Sequence, residues 1–396
     1  MRIVASRPDP ALLALPWDLP LEEWAEHVVP LPRGLSRHVV RIVRLGVNVY
    51  AVKETQEEVA FREYGLLRDL QRSGLPAVVP QGVVADRPNE LPAMLVTRHL
   101  EFALPYRSLF SHGVREDSLP MVVDALVVLL VRLHLSGFYW GDVSLSNVLF
   151  RRNAGAFAAY LVDAETGEFA ASLSRQMREY DVEVGCENVF GELLDLQAGN
   201  LLGQHVSPRS LIDMVQARYA ELWAELTHAE EFGTEEMWRI ERRVERLNEL
   251  GFDVDELDIV TDWDGDRVQI QPKVVEAGHH ARELQELTGL DVEDNQARRL
   301  LNDLASYTAY HEIGGESRQL VANRWLTEIY DPIMELVPAG LRGRLQPAEI
   351  FHEILVHRWL LSERDDREWD IFDTARDYIS SQLATRPDER LPAVGI

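Results

Sequence analysis

The segment from Leu133 to Phe150 sets an acid and an amide on either side of a short turn. A helical pattern ends at Leu133-His134, Gly137 turns the chain, and Asp142 follows. Asn147 comes 5 positions after Asp142, just ahead of the apolar Val148-Leu149-Phe150. A second apolar run, Tyr160-Leu161-Val162, ends in Asp163. Two carboxylates and an amide are oxygen donors of the kind Mg²⁺ prefers, and that ion keeps several waters, so few protein ligands suffice. Reactions that spread negative charge over moving oxygens need cations beside those oxygens and a carboxylate beside the attacking hydroxyl. Each residue taken singly has a plainer reading: an Asp after a helix usually caps or turns the chain.

Period and punctuation show the elements that would position these residues. Trp24 to Leu31 reads as a strand, followed by a loop over 32–36. Arg37 to Arg44 and Val49 to Glu54 read as two more strands, turned at Leu45 to Asn48. Glu57 to Arg72 then puts Val59, Ala60, Tyr64, Leu67 and Leu70 on one helical face, and Ser73-Gly74 stops it. Val78 to Ala85 and Ala93 to Arg98 read as strands. Beyond them the pattern is helical over 117–137, 175–198, 209–229, 234–250, 278–288, 291–311, 316–337, 346–362 and 370–384. Short strands flank Arg151 to Gly155, and 259–275 reads as a hairpin turning at Asp264-Gly265. Residues 1–23 are rich in Pro and Leu without a clear period.

The Leu-His helix end, the Asp, the Asn, the strand after it and the second strand ending in Asp resemble the catalytic loop of the protein-kinase superfamily. The lipopolysaccharide-kinase branch is the nearer likeness. Val49-Tyr50-Ala51-Val52-Lys53 is similar to the strand-three Val-Ala-Ile-Lys of that superfamily. The resemblance implies that Asp142 is the catalytic base and that Asn147 and Asp163 hold Mg²⁺. It implies that Lys53 contacts the α- and β-phosphates and pairs with Glu63, with Glu57 and Glu58 as rivals. Gly34 and Ser36 would cover the nucleotide. Leu95 to Glu101, and within it Val96, His99 and Leu100, would meet the adenine. His134 and Asp181 resemble the structural residues that anchor the loop. The whole chain also resembles an uncharacterised family of high-GC Gram-positive bacteria, in which such a domain precedes a helical domain of unknown function (domain of unknown function 4032). Phrases that carry this likeness include Asp163-Ala-Glu-Thr-Gly167, Gln271-Pro-Lys-Val-Val-Glu276 and His357-Arg-Trp359.

The resemblance therefore implies an α+β fold: a two-lobed kinase-like domain with an antiparallel sheet in its N-lobe and helices in its C-lobe, then a mostly helical domain. The expected division is an extension over 1–23, the kinase-like domain over 24–230 and the helical domain over 235–396. The expected activity is transfer of the γ-phosphate of ATP, with Mg²⁺, to a hydroxyl acceptor: a small molecule, a glycan or an atypical protein site. The alternative is a pseudokinase scaffold that binds nucleotide and a protein partner through its C-terminal domain; transfer of AMP is a third option. Trp140-Gly141 stands where His-Arg is usual, so activation by a phosphorylated loop is not expected. Asp163-Ala164-Glu165 replaces Asp-Phe-Gly, and no Ala-Pro-Glu follows, so a conventional peptide substrate is not expected either.

The bulk properties narrow the partners. With 396 residues and a net charge of -26, the chain is too long for one core and is set against nucleic acid and anionic lipid surfaces. The best local exception is Arg33, Arg37, Arg41 and Arg44. Cys186 is the single cysteine, so no internal disulfide is possible, and a cytoplasmic location is expected. The longest apolar run, Ala125 to Val131, falls short of the roughly 20 residues a membrane helix needs and reads as a buried helix. Asp262-Trp-Asp264-Gly-Asp266 reads as a hairpin turn and not a calcium loop, because Lys273 stands where an EF-hand requires Glu. His279-His280 and the pair His352 and His357 lack the spacing of one helical face, so metal binding is not expected there. Glu165 and Glu168 read as solvated loop acids, with metal ligation as the alternative. Trp325, Trp359 and Trp369 read as packing residues and Cys186 as a buried filler.

Overall fold

The computed structural model describes residues 1–6, 9–29, 38–111, 118–203, 206–227, 230–233, 238, 242, 246–247, 253–261, 267–275 and 278–391. The chain divides into two compact units. One comprises Met1–Arg151 with Ala159–Ala220; the other comprises Arg152–Ala158 with Glu221–Leu391.

The first unit begins with a five-stranded antiparallel sheet in the order β1-β4-β5-β3-β2. Its strands are β1 (Arg2–Ala5), β2 (Val40–Leu45), β3 (Asn48–Thr55), β4 (Pro80–Ala85) and β5 (Ala93–Arg98). Alternation decides the faces. Tyr50 and Val52 of β3, with Met94 and Val96 of β5, point into a core shared with Leu12, Leu15, Trp17, Leu21 and Trp24. Lys53 points the other way. Helix α1 (Glu57–Arg72) buries Ala60, Glu63, Tyr64, Leu67 and Leu70. Its C-terminus closes as a Schellman turn: Gly74 at φ 65° donates to the carbonyl of Gln71, and Leu75 donates to that of Leu70.

The N-terminal stretch belongs to this unit. Trp17 and Trp24 meet edge to face with ring centroids 5.2 Å apart. The strand expected over Trp24 to Leu31 does not form in its described part. A 3-10 turn at Leu21–Glu23 brings Trp24 into the core, and only Val28 bridges to the sheet, at Val43. Burial of two indoles outweighs a local β pattern. Arg87, buried, locks this arrangement. It donates to the carbonyls of Trp17 at 2.9 Å and Pro92 at 2.7 Å, to that of Leu19, and to Glu54 at 2.6 Å.

After β6 (Ala103–Pro105) and α2 (Tyr106–Ser111), helix α3 (Leu119–Leu135) is buried along most of its length, including Leu126, Val127 and Leu129 through Val131. This is the apolar run read above as a buried helix, and no helix among the described residues is long and apolar enough to cross a membrane. Then come β7 (Phe138–Tyr139), β8 (Val148–Asn153), β9 (Ala156–Leu161), β10 (Glu168–Phe169), α4 (Arg175–Ala198) and α5 (Pro208–Thr227). The expected segments at 57–72 and 175–198 coincide with α1 and α4.

In the second unit, β11 (Glu230–Gly233), β12 (Asp253–Thr261) and β13 (Arg267–Val275) form a sheet in the order β11-β13-β12. The expected hairpin is present as β12 and β13. Its turn at Asp264-Gly265 lies outside the described residues, as do much of the 234–250 segment, Gly34, Ser36, Arg33 and Arg37. Six helices follow: α6 (His279–Thr288), α7 (Asp294–Tyr310), α8 (Arg318–Trp325), α9 (Asp331–Glu335), α10 (Pro347–Asp365) and α11 (Ile371–Ser381). Their core centres on Trp325, Tyr330, Ile333, Phe351, Ile354 and Tyr378. The continuous helix expected over 316–337 contains a π-helical turn at Leu326–Tyr330. Pro332 has no N–H to offer the carbonyl four residues back, and the ladder widens just before it. Trp325 is fully buried, whereas Trp359 is 61% exposed and not a packing residue. Within this unit Asn153 accepts from the backbone N–H groups of Asn295 at 3.0 Å and Gln296 at 3.2 Å, and so caps α7. Glu349 accepts from Ala154 N at 2.9 Å and from Gln296 Nε2 at 2.7 Å.

Replacing Arg87 by Met should cost about 3–5 kcal/mol, because Glu54 and three carbonyls lose their partner. Urea unfolding followed by tryptophan fluorescence will read this. A loss under about 1 kcal/mol, the worth of an exposed pair, would show that Arg87 does not lock the N-terminal stretch.

Candidate active site

The anchor of the site is Asp181 on α4, with 0% exposure. Its carboxylate accepts from the backbone N–H of Trp140 at 2.9 Å and of Gly141 at 2.8 Å. It also meets His134 Nε2 at 3.0 Å, and the other ring nitrogen of His134 meets the Tyr219 hydroxyl at 2.7 Å. Burial holds His134 below its ordinary value, against the pull of Asp181. One side chain fixes two successive amides, and the next residue is Asp142. Gly141 sits at φ 78°, where a Cβ would be strained and would lie 3.0 Å from the Tyr139 ring.

Asp142 is held from both sides. Asn147 Nδ2 donates to its carboxylate at 3.2 Å and to its carbonyl at 3.0 Å, and Asn188 Nδ2 reaches its other carboxylate oxygen at 3.3 Å. The turn between Asp142 and Asn147 is pinned by Glu192, which accepts from Leu145 N at 2.6 Å and Ser146 N at 2.9 Å. Burial raises Glu192, with those amides pulling against it. The Val162 amide donates to the Asn147 carbonyl at 3.0 Å, so Asn147 and Asp163 arrive side by side. Trp140, wholly buried, ties the two loops: its indole N–H donates to the Asp163 carbonyl at 2.9 Å, and its own carbonyl accepts from Thr166 at 2.8 Å.

Opposite these loops Lys53 projects from β3. Its ammonium touches Glu63 at 3.1 Å, Asp163 at 2.7 Å and Glu165 at 2.9 Å. Of the three candidate partners on α1, Glu63 is the one on the buried face; Glu57 pairs instead with Arg2 at 2.6 Å. Burial alone would lower the lysine, but Glu63 and Asp163 outweigh it and the net direction is upward. One ammonium cannot neutralise three acids, and the surplus falls on the most buried of them. Burial, reinforced by the charge of Asp163, pushes Glu63 up to about 8. Glu165 goes the other way: burial would raise it, but Lys53 and His38 hold it low.

The nucleotide-side expectations divide. Val96 lies opposite Val52 in the β3–β5 register and is buried in the core on the far face of the sheet from Lys53. Leu95, opposite Lys53, and Thr97, opposite Ala51, share the lysine's face. Alternation along β5 turns Val96 away from the expected nucleotide contact. His99 donates its backbone N–H to the Val49 carbonyl at 2.9 Å, and burial pushes its ring down to about 4. Leu100 follows it, half-buried. Glu165, expected as a solvated loop acid, is instead 20% exposed and bound to Lys53. Trp140, Asn188, Glu192 and His38 were not anticipated as site residues; only Trp140, next to Asp142, carried a local signal.

The site offers oxygen donors for a cation. Carboxylate oxygens of Glu63, Asp163 and Glu165 lie within 4.8 Å of one another, and this is the one such cluster among the described residues. Lys53 already fills the space between these oxygens, and Asp163 with the neighbouring Asn147 offers the carboxylate and amide oxygens that a hard divalent ion such as Mg²⁺ prefers. Cys186 is buried, and burial raises its thiol to about 11, as a packing residue requires.

The Glu63 shift has a readable pH signature. A carboxyl raised from 4.5 to about 8 contributes stability below pH 4.5 that is lost as pH climbs through about 8, since only the folded state holds the proton between those values. The urea midpoint should therefore fall from about pH 5 to pH 8, and Glu63→Gln should flatten that fall. Equal slopes in the two proteins would refute the assignment.

Residues 39–183 match the model of the lipopolysaccharide kinase (Kdo/WaaP) family, and residues 221–383 match a domain of unknown function, DUF4032. No curated protein matches the chain. Among solved structures, one described as WaaP in complex with acyl carrier protein aligns at 16% identity and a TM-score of 0.35, covering 63% of this chain and 99% of that one. The sheet-bearing N-terminal region and the helical C-terminal region give the mixed α+β organisation expected of a kinase-like fold. The chain is thus similar to the lipopolysaccharide kinase (Kdo/WaaP) family over residues 39–183 and to DUF4032 over residues 221–383.

Proposed function

We propose that this protein is an ATP- and Mg²⁺-dependent phosphotransferase that moves the γ-phosphoryl group to a hydroxyl on a small molecule, a glycan or an atypical protein site. The observation that carries this reading is Lys53 bound at once to Glu63 of α1 and to Asp163, while Asp163 is tied through Trp140 and Val162 to the loop bearing Asp142 and Asn147. The family match over 39–183 supports the kinase-like class. We take the kinase-like domain as 24–230 with the extension over 1–23 folded onto its sheet, the helical domain as 235–396, and the cytoplasm as the compartment.

In this reading Lys53 binds the α- and β-phosphates, and Glu63 orients Lys53. Asp142, held by Asn147 and Asn188, accepts the proton of the acceptor hydroxyl as that oxygen attacks. Asn147 and Asp163 hold Mg²⁺, which when bound neutralises charge on the phosphate oxygens. His99 and Leu100 flank the adenine, with Leu95 on the lysine's face of the sheet; Gly34 and Ser36 cover the phosphates. A non-catalytic nucleotide binder whose C-terminal domain docks a protein is the second reading, favoured by Trp140-Gly141 standing where His-Arg is usual.

The test is transfer of label from γ-labelled ATP to species in a cell extract. Asp142→Ala should abolish labelling, a loss of at least about 100-fold, and leave ATP affinity within about twofold. Asp163→Ala should weaken Mg²⁺-dependent binding, and Lys53→Ala should weaken both binding and transfer. Full turnover by Asp142→Ala would remove it as the base. Binding without Asp142-dependent labelling would favour the scaffold, and label from α-labelled ATP would indicate AMP transfer.

A further inference from the structure

We infer that Glu165 is a placeholder for a nucleotide phosphate, and that His38 together with Lys53 forms the subsite which that phosphate takes when Glu165 leaves. The inference rests on the nucleotide reading above and assigns two residues that the family pattern does not supply.

The argument begins with donor counting. A lysine ammonium has three N–H donors. In this protein all three have carboxylate partners: Glu63 at 3.1 Å, Asp163 at 2.7 Å and Glu165 at 2.9 Å. An incoming phosphate that uses Lys53 must displace one of them. Glu63 is 1% exposed and also accepts from the Ala164 amide at 3.4 Å, so its departure would strand a buried acid. Asp163 is the metal-side acid. Glu165 is left, on the loop just beyond Asp163, with its amide donating to Asp163 Oδ1 at 3.1 Å.

The second observation is what else Glu165 touches. Its carboxylate lies 3.1 Å from His38 Nε2, so the ammonium of Lys53 on β3 and a ring nitrogen two residues ahead of β2 meet the same carboxylate. His38 leads into β2 directly after the segment that contains Gly34 and Ser36. A carboxylate bridging Lys53 and His38 presents two oxygens on one centre, as a phosphate does, and both accept from a lysine ammonium. Glu165 is 20% exposed and His38 26% exposed, so the pair is reachable. Swinging Glu165 aside exchanges one anion for another at the same two donors.

Calorimetry on the full chain separates the possibilities, with Mg²⁺·ATP, Mg²⁺·tripolyphosphate and adenosine as probes. Glu165→Ala should bind ATP and tripolyphosphate about tenfold more tightly than the unaltered protein, the scale of one charge-assisted contact, with adenosine affinity unchanged. Glu165→Gln, which keeps the shape, should move the same way. Adding His38→Ala to Glu165→Ala should return most of the gain. If Glu165→Ala and Glu165→Gln bind ATP equally well or more weakly than the unaltered protein, Glu165 is no placeholder; weaker binding would mark it as a metal ligand. If the double variant keeps the whole gain, His38 lies outside the subsite. Failure of every protein to bind either phosphate probe would overturn the nucleotide reading, and the inference with it.

Discussion

The site depends on one buried carboxylate aimed at two backbone amides. Asp181 sits in a helix interior, shielded from water, with His134 on one side and the amides of Trp140 and Gly141 on the other. A buried acid is tolerated only when every lone pair finds a donor. That requirement works in reverse here. Three elements, the end of α3, the loop before Asp142 and the second turn of α4, must keep their relative positions or leave a buried acid without its partners. The direction of Asp142 is set by this constraint before any ligand arrives. Asn147, Asn188 and Glu192 then trim the loop by short polar contacts of the same kind.

Much of this was written plainly in the chain, and where it was not, the reason is physical. The ordered set Lys53, Glu63, Asp142, Asn147 and Asp163 stood out because each followed or preceded an element of clear period. The structure brings Lys53, Glu63 and Asp163 into direct contact and links the other two through backbone and side-chain bonds. Glu63 could be preferred over Glu57 only by asking which glutamate shares a face with Ala60, Tyr64 and Leu67. Val96 pairs with Val52, so strand parity puts it on the opposite face of the sheet from Lys53. Glu165 and His38 are 127 residues apart, and no local pattern announces a meeting at that distance. The same holds for Glu192, whose exposed-looking helical position hides a carboxylate turned toward the amides of Leu145 and Ser146.

The departures from the kinase pattern have local explanations. Trp140 replaces a histidine, yet its indole N–H and carbonyl stitch the Asp142 and Asp163 loops together. Gly141 replaces an arginine, and the backbone there takes a left-handed turn that a side chain would resist. The N-terminal stretch had no readable period because its order comes from tertiary contacts: two indoles, Arg87 and a four-residue edge strand. Segments of that sort carry no repeat for the eye to find.

The short run Arg152–Ala158 clusters with residues 221–391, although the chain on both sides of it belongs to the first unit. The polypeptide therefore visits the second unit early, between Asn147 and Asp163, long before building it. No single scission can deliver either unit whole. A gene shortened at residue 220 would keep the hairpin tip and discard the helix start that Asn153 caps and the glutamate that holds Ala154. Recombination that trades one C-terminal portion for another would have to rewrite these seven residues as well.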